Sequence, residues 1–497
     1  MGTSEPARDR FVLGAVLLVA LAARLWILAT QTYIAHPDET FQYLEPAHRL
    51  AFGSGVITWE YLDGIRSWLL PGAIAGAMRA VAVFDPNPDA YILVLRALCV
   101  CASLSVPYAG FRLGERCGGV GAGVAAGLLC ALSPQGLYFA PVVMSEPLAA
   151  DAALLAIVVG EGGVRTPRRL LLAGALFGLA CALRYQYAPI LAIVMLWQYI
   201  RDLRACGWVV LGGAAVVAPT LGLLDAATWG APFQSVWLNF LRNGPQGVSQ
   251  AMGVQGWPFY LQYFAASWGA VAPVLLVCLY YGARRSPVIV ILVVGTIGLH
   301  SFVPHKELRF IYLAMVAIPM LIGFGLGAIL ERFPPRWSGW ASRVGLSLLL
   351  ALAIGWSTEA RTTGPSQWHR DRSLLKATEA ARNIPDTCGL AIRSVRVNRT
   401  GGYTYWHRNV PIFFETWDLA QQIPESDLRL RIDNTLLGQP VPQYPAAELA
   451  AHWGKFNVLI GMPDDGLPGF TQQACFGVDR PDDRRICLFT RPGGCRS

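Results

Sequence analysis

The chain has 497 residues, 54% of them hydrophobic and 14% charged, where a soluble globular chain carries roughly a quarter charged residues. That balance excludes a protein that is soluble along its whole length and defines a polytopic α-helical membrane protein. The formal charge of +8 does not imply nucleic acid as a partner, because Lys and Arg gather at the ends of apolar segments and form no basic face with interleaved aromatics.

Apolar windows near 11–33, 91–111, 118–138, 144–161, 169–183, 186–200, 208–227, 259–282, 287–303, 309–331 and 342–357 predict about 11 transmembrane helices. The first window runs into His36-Pro37-Asp38-Glu39 without a small-residue cleavage site, so residues 1–30 read as a retained helix and not a signal peptide. Residues 68–84 form a twelfth candidate, interrupted by Pro71, Gly72, Gly76 and Arg79. If this segment lies in the interface, the basic clusters at Arg112 and Arg116, Arg165 to Arg169, Arg201 and Arg204, Arg284 and Arg285, and Arg332 to Arg343 all become cytoplasmic. If it crosses, they all move outside, so it is assigned to one long first external loop, 34–90.

The predicted division is therefore a membrane domain, 1–357, and an external soluble α/β domain, 358–497. In the latter, Gly389 to Val397, Val410 to Phe414, Phe456 to Gly461 and Ile486 to Phe489 read as strands, with helices before Pro385 and near Ala446 to His452. Of 11 cysteines, those within or beside apolar segments read as small apolar residues. Cys388, Cys475, Cys487 and Cys495 lie in the polar region and suit one or two disulfides outside the cytoplasm. Asn398-Arg399-Thr400 matches the glycosylation sequon, a short motif frequent by chance.

The external loops hold the ionisable groups. Asp38 and Glu39 follow directly on the first helix; adjacent residues point apart, but one carboxylate suffices as a general base toward a hydroxyl. His36 reads either as their hydrogen-bond partner or as a solvated loop residue. Trp59, Glu60 and Arg66 put indole, acid and base in one short segment, suited to a sugar ring, although Trp also populates the interfacial belt. His305, Lys306 and Arg309 are basic on the external side, against the trend that gathers basic residues in the cytoplasmic loops, which calls for an anionic partner such as a lipid phosphate; Glu307 pairing with one of them is the internal alternative. Ser145-Glu146-Pro147 and the Arg184 turn are further polar points on the same side.

The runs HPDETFQYLEPAHRLAFGSGVITWEYLDGIRSW (36–68) and VPHKELRFIY (303–312) resemble the signature segments of glycosyltransferase family 22, the mannosyltransferases of N-glycan and GPI-anchor assembly, over about 360 residues. The resemblance implies a GT-C fold, a polyprenyl-phosphate-mannose donor, inversion at the anomeric carbon, and a lipid-linked glycan or glycolipid acceptor on the non-cytoplasmic side. It places the general base on Asp38, with Glu39 beside it. It carries the family's other motif segments over to Thr58, Trp59 and Glu60 and to His305, Lys306, Glu307, Arg309 and Phe310; with His36 and Arg66, read from the residues themselves, the expected substrate-binding set is His36, Trp59, Glu60, Arg66, His305, Lys306, Glu307 and Arg309. Leu308 departs from the family pattern, where a second acid is usual. No cofactor and no metal are implied. The site would face the lumen of the endoplasmic reticulum in a eukaryote, or the outside of the plasma membrane in a bacterium, where donor lipid and acceptor can differ. Two alternatives stand beside this: a transporter of lipid-linked sugars, which would show paired halves and a mid-membrane polar cluster, and the same chemistry with arabinose or galactose.

Overall fold

A computed structural model describes residues 5–31, 33–56, 58–162, 164–334, 339–358, 368, 370–395, 399–415, 443–444, 449, 451–478 and 484–495. The sequon asparagine, Asn398, lies outside them, as does most of the helix expected near 446–452. The chain forms two compact units, one made of 1–30 with 96–364 and the other of 31–95 with 365–497.

In the first unit, six helical stretches among the described residues are long and apolar enough to cross a membrane: Arg8–Thr30, Pro88–Ala131, Leu203–Trp229, Phe259–Ala283, Leu308–Leu330 and Trp340–Thr358. Shorter apolar helices accompany them at Ser145–Glu161, Pro167–Leu183, Ala188–Tyr199 and Pro287–Ser301. The second stretch is not straight, because Gly118 and Gly119 leave helical geometry, Gly119 at φ 67°. The chain doubles back there, and a Cβ on Gly110 or Gly114 would meet the backbone of Ala126 or Ala122. The two windows 91–111 and 118–138 are thus two helices joined by a glycine break. Tyr312–Leu330, apolar all round, is buried along almost its whole length and forms the axis of this unit. Its Gly323 and Gly327 lie against Ala126 and Ala122, the small-residue contact that lets membrane helices approach closely.

In the second unit a six-stranded sheet has the order β3-β2-β1-β4-β6-β5, with β1 Leu390–Ile392, β2 Ile412–Glu415, β3 Gln443–Tyr444, β4 Val458–Gly461, β5 Thr471–Phe476 and β6 Ile486–Thr490. The central strands are parallel, and β6 pairs antiparallel with β4 and β5. Strand periodicity sends Leu390, Ile392, Ile412 and Phe414 to one core and Ala391, Phe413, Leu459 and Phe489 to the other. The helix Arg372–Arg382 covers the first of these with Leu374, Ala377 and Ala381. Disulfides join Cys388 to Cys495 and Cys475 to Cys487.

The same core contains Phe41 and Val56, so the segment after the first helix is built onto this sheet domain. Glu45 fastens it: the wholly buried carboxylate accepts from Val56 N at 2.8 Å and from Thr404 N and Oγ1 at 2.6 and 2.5 Å. Gly402, at φ +58°, lies against that carboxylate where a Cβ would collide with it. His48 meets His407 at 2.8 Å, and Arg382 grips Asp89 through both terminal nitrogens. The helix Leu69–Ala82 belongs to this unit as well; its 14 residues span about 21 Å, short of a hydrocarbon core of about 30 Å.

Burial pushes the Glu45 carboxyl up from its usual 4.5 to about 7 and the His48 imidazole down from 6.5 to about 4. The two signs oppose. A raised carboxyl contributes stability present below its unfolded value and lost as pH rises toward 7; a depressed histidine contributes stability present above 6.5 and lost on acidification. Glu45→Gln should therefore leave the histidine slope, with melting temperature falling as pH drops from 6.5 to 4.5, while His48→Gln should leave a fall as pH rises over the same window. Thermal unfolding of the full chain in detergent tests this, and parallel profiles for the two variants would refute it.

Candidate active site

The candidate residues fall into two groups, one in each unit. In the sheet-bearing unit, Pro37 begins a helical turn at its preferred position and Asp38 and Glu39 occupy the first turn, where the exposed N–H groups favour carboxylates. The two acids have different surroundings. Glu39 is buried and accepts from Ala35 N at 3.3 Å, whereas Asp38 keeps partial exposure beside His36, with Oδ1 3.5 Å from Nδ1.

Over Glu39–Leu44 the helix widens to the π form, and Pro46 supplies the cause. It has no N–H to offer the carbonyl of Gln42 four residues back. The hydroxyl of Tyr61 donates to that carbonyl instead, at 2.7 Å, and the Gln42 amide donates to Glu60 Oε1 at 2.7 Å. Arg66 lies 3.7 Å from the same Glu60 oxygen. Trp59 and Glu60 are buried, and Trp68 packs on Tyr61 with centroids 4.6 Å apart. Burial raises the Glu60 carboxyl against the lowering effect of Arg66, and the charge of Asp38 adds to the rise. Glu60 thus ties the segment 58–68 to the helix that carries Asp38. Sequence reasoning placed Glu60 and Arg66 but missed Gln42 and Tyr61, whose signal is the proline four residues after Gln42.

In the membrane unit the centre is Glu146, fully buried at the start of Ser145–Glu161. Its Oε1 accepts from Arg184 Nη1 at 2.9 Å and Arg309 Nη1 at 3.0 Å. Arg309 Nε donates to Glu307 at 2.5 Å, and Glu307 meets His305 Nε2 at 3.0 Å. That hydrogen bond to Glu307 raises the His305 imidazole above its usual value. Lys306, 6% exposed, donates to the carbonyls of Val303 at 2.6 Å and Gln255 at 2.9 Å. Its recorded contacts are therefore neutral, unlike those of Arg309. Arg184 stacks near Phe310 and Tyr187, and its buried Nε has no hydrogen-bond partner among the described residues. Glu307 pairs internally, with His305 and Arg309, and Arg184, Lys306 and Arg309 against Glu146 and Glu307 leave the group one net positive charge before His305 is counted. A lone acid leading an apolar helix was the sequence signal for Glu146.

A helical membrane unit with buried cations at one end of its helices, joined in sequence to an α/β domain, defines the class by its architecture: this is an integral membrane protein of the GT-C fold. The crystal structure of ArnT from Cupriavidus metallidurans bound to undecaprenyl phosphate superposes with a TM-score of 0.60 at 12% identity, covering 100% of both chains. An Archaeoglobus fulgidus oligosaccharyltransferase tethered with an acceptor peptide gives 0.50 at 14% identity, covering 80% of this chain and 62% of that one. Residues 15–361 match the Alg9-like mannosyltransferase family, glycosyltransferase family 22, and the chain belongs to it. GPI mannosyltransferase 3 of Yarrowia lipolytica is 25% identical over 414 residues, covering 81% of this chain and 76% of its own length. Mannosyltransferase APTG1 of Arabidopsis thaliana is 23% identical over 93% of this chain and 87% of its own length. The chain is a mannosyltransferase.

Glu146→Gln should cost about 3–5 kcal/mol, since it leaves two buried guanidiniums facing each other without the charge between them. Glu307→Gln, at a carboxylate 26% exposed, should cost clearly less. Equal losses in thermal unfolding would remove Glu146 from the centre of the network.

Proposed function

We propose that this mannosyltransferase moves mannose from a polyprenyl-phosphate-mannose donor to a lipid-linked glycan of GPI type, on the non-cytoplasmic side. The observation that carries the reading is the buried cationic group of Arg184, Lys306 and Arg309, which retains net positive charge after its internal carboxylates are counted. A sugar transferred from a lipid phosphate leaves an anion behind, and such a group suits that anion. The GPI-type acceptor is favoured by the name of the Yarrowia lipolytica relative, matched over 76% of its length, and the polyprenyl lipid by the undecaprenyl phosphate held in the ArnT structure. Two disulfides in the C-terminal segment favour an oxidising compartment.

Inversion follows from a single displacement. Asp38, the less enclosed of the two acids, takes the proton of the acceptor hydroxyl as that oxygen attacks the anomeric carbon, and the electron pair of the departing bond goes to the phosphate oxygen. That charge falls, on this reading, to Lys306 and the Arg184 Nε of the membrane unit, with Arg309 supporting Arg184 through their shared Glu146. His36 orients Asp38.

Asp38→Asn should lower kcat by roughly 10²–10⁴-fold while leaving the KM for donor nearly unchanged. Lys306→Ala should instead raise the donor KM about 10- to 100-fold, the loss of one charge-assisted hydrogen bond. Transfer of labelled mannose from a short-chain polyprenyl-phosphate mannose by the purified enzyme measures both. Full activity of the Asp38 variant, or an acceptor-specific defect in the Lys306 variant, would reassign those roles.

A further inference from the structure

The ring of His305 is bounded by acceptors on both sides. Nδ1 lies 2.9 Å from the carbonyl oxygen of Gly253, and Nε2 lies 3.0 Å from Glu307 Oε1. A carbonyl oxygen only accepts, and so does an ionised carboxylate. Glu307 is held ionised by Arg309, whose Nε donates to its other oxygen. A neutral imidazole has one N–H and would turn a lone pair toward one of these two acceptors. Only the imidazolium makes both bonds. The other groups around the ring are Phe310, 5.7 Å away edge-on, the charge of Arg309, which opposes that of the ring, and Lys306 next in sequence.

The count of charge then changes. With a neutral His305 the linked side chains carry two cations, Arg184 and Arg309, against the carboxylates of Glu146 and Glu307; Lys306, held on backbone carbonyls next in sequence to His305, brings the total to one positive charge, and the imidazolium brings it to two. A donor phosphodiester bears one negative charge. As its bond to the anomeric carbon breaks, the electron pair stays on the phosphate oxygen, the acceptor oxygen forms the new bond, and its proton passes to the base, leaving a monoester with two negative charges. We propose that His305 stands as an imidazolium and sets the net charge of this cluster at the value that matches the departing phosphate monoester, not the phosphodiester of the donor. The inference rests on the lipid-phosphate donor argued above. His305 acts through Glu307 and through the local field without touching the reacting atoms, so it is a positioning residue. A charge that is matched only as the phosphate departs favours the transition state over the bound donor.

Direct binding to the purified full chain in detergent tests this, with a short-chain polyprenyl phosphate and its methyl diester as probes, between about pH 5.5 and 9. The wild type should bind the monoester about tenfold tighter, the effect of one charge about 12 Å away at an effective dielectric near 20. That ratio should rise as the monoester loses its second proton near pH 6 and fall at alkaline pH as His305 loses its own. His305→Gln should bring the ratio close to one and remove the alkaline fall. His305→Lys should keep the ratio and also lack the alkaline fall. An unchanged ratio and profile in His305→Gln overturns the inference and leaves the donor assignment standing. Should that variant not fold, persistence of the alkaline fall in His305→Lys overturns it in the same way. Failure of the wild type to bind either probe overturns the donor assignment and this inference together.

Discussion

The Glu45 carboxylate is the constraint on which the geometry of the segment carrying Asp38 depends. It is wholly buried and receives donors from Val56 on one side and from Thr404, 359 residues away in sequence, on the other. A buried carboxylate without donors would cost several kcal/mol, so the segment 45–56 and the turn at Gly402 to Thr404 hold each other in place. Phe41 and Val56 add apolar area to the same core as Leu374 and Trp406. The helix that presents Asp38 is therefore shaped by the sheet domain. This gives the C-terminal domain a physical purpose that anchoring alone would not require.

Glu146 performs the corresponding task in the membrane unit, with opposite charges. Two guanidiniums converge on one of its oxygens. Their planar forks suit such fixed geometry, whereas an ammonium is a mobile point charge. The arginines near this site are thus partly committed to the protein, and Lys306, seated on two carbonyls, is less so. Carbonyl dipoles hold an ammonium without neutralising it, which keeps its charge available to a ligand.

What the sequence revealed follows the range over which each signal acts. The windows 144–161 and 169–183 coincide with helices because membrane-length apolar runs are local signals, and the break at Gly118-Gly119 is local too. Strands β1, β2, β4 and β6 were legible as buried apolar runs, but β5, with exposed Thr471, Gln472 and Gln473, carries no such run and was missed. The residues of the site were largely legible as charged groups in costly places. Their partners were not: nothing near Glu45 indicates Thr404, and nothing near Arg309 indicates Glu146, 163 residues away. Pairings of that length are decided by tertiary packing, to which composition and periodicity are blind.

The contrast between Asp38 and Glu39 shows how a folded chain separates two chemically similar neighbours. Both follow Pro37 and both sit at a helix start, so propensity and dipole treat them alike. The helix rotation between adjacent residues separates them. It turns Glu39 inward to the backbone of Ala35, where it completes the turn, and leaves Asp38 partly exposed beside an imidazole. A base must reach a hydroxyl that arrives from outside, and a buried carboxylate turned to the backbone N–H of Ala35 is less open to one than a partly exposed carboxylate. Glu39 thereby holds the turn and Asp38 stays open, the difference on which the proposed role of Asp38 as base rests, and it is set by one peptide step along a helix whose start proline fixes.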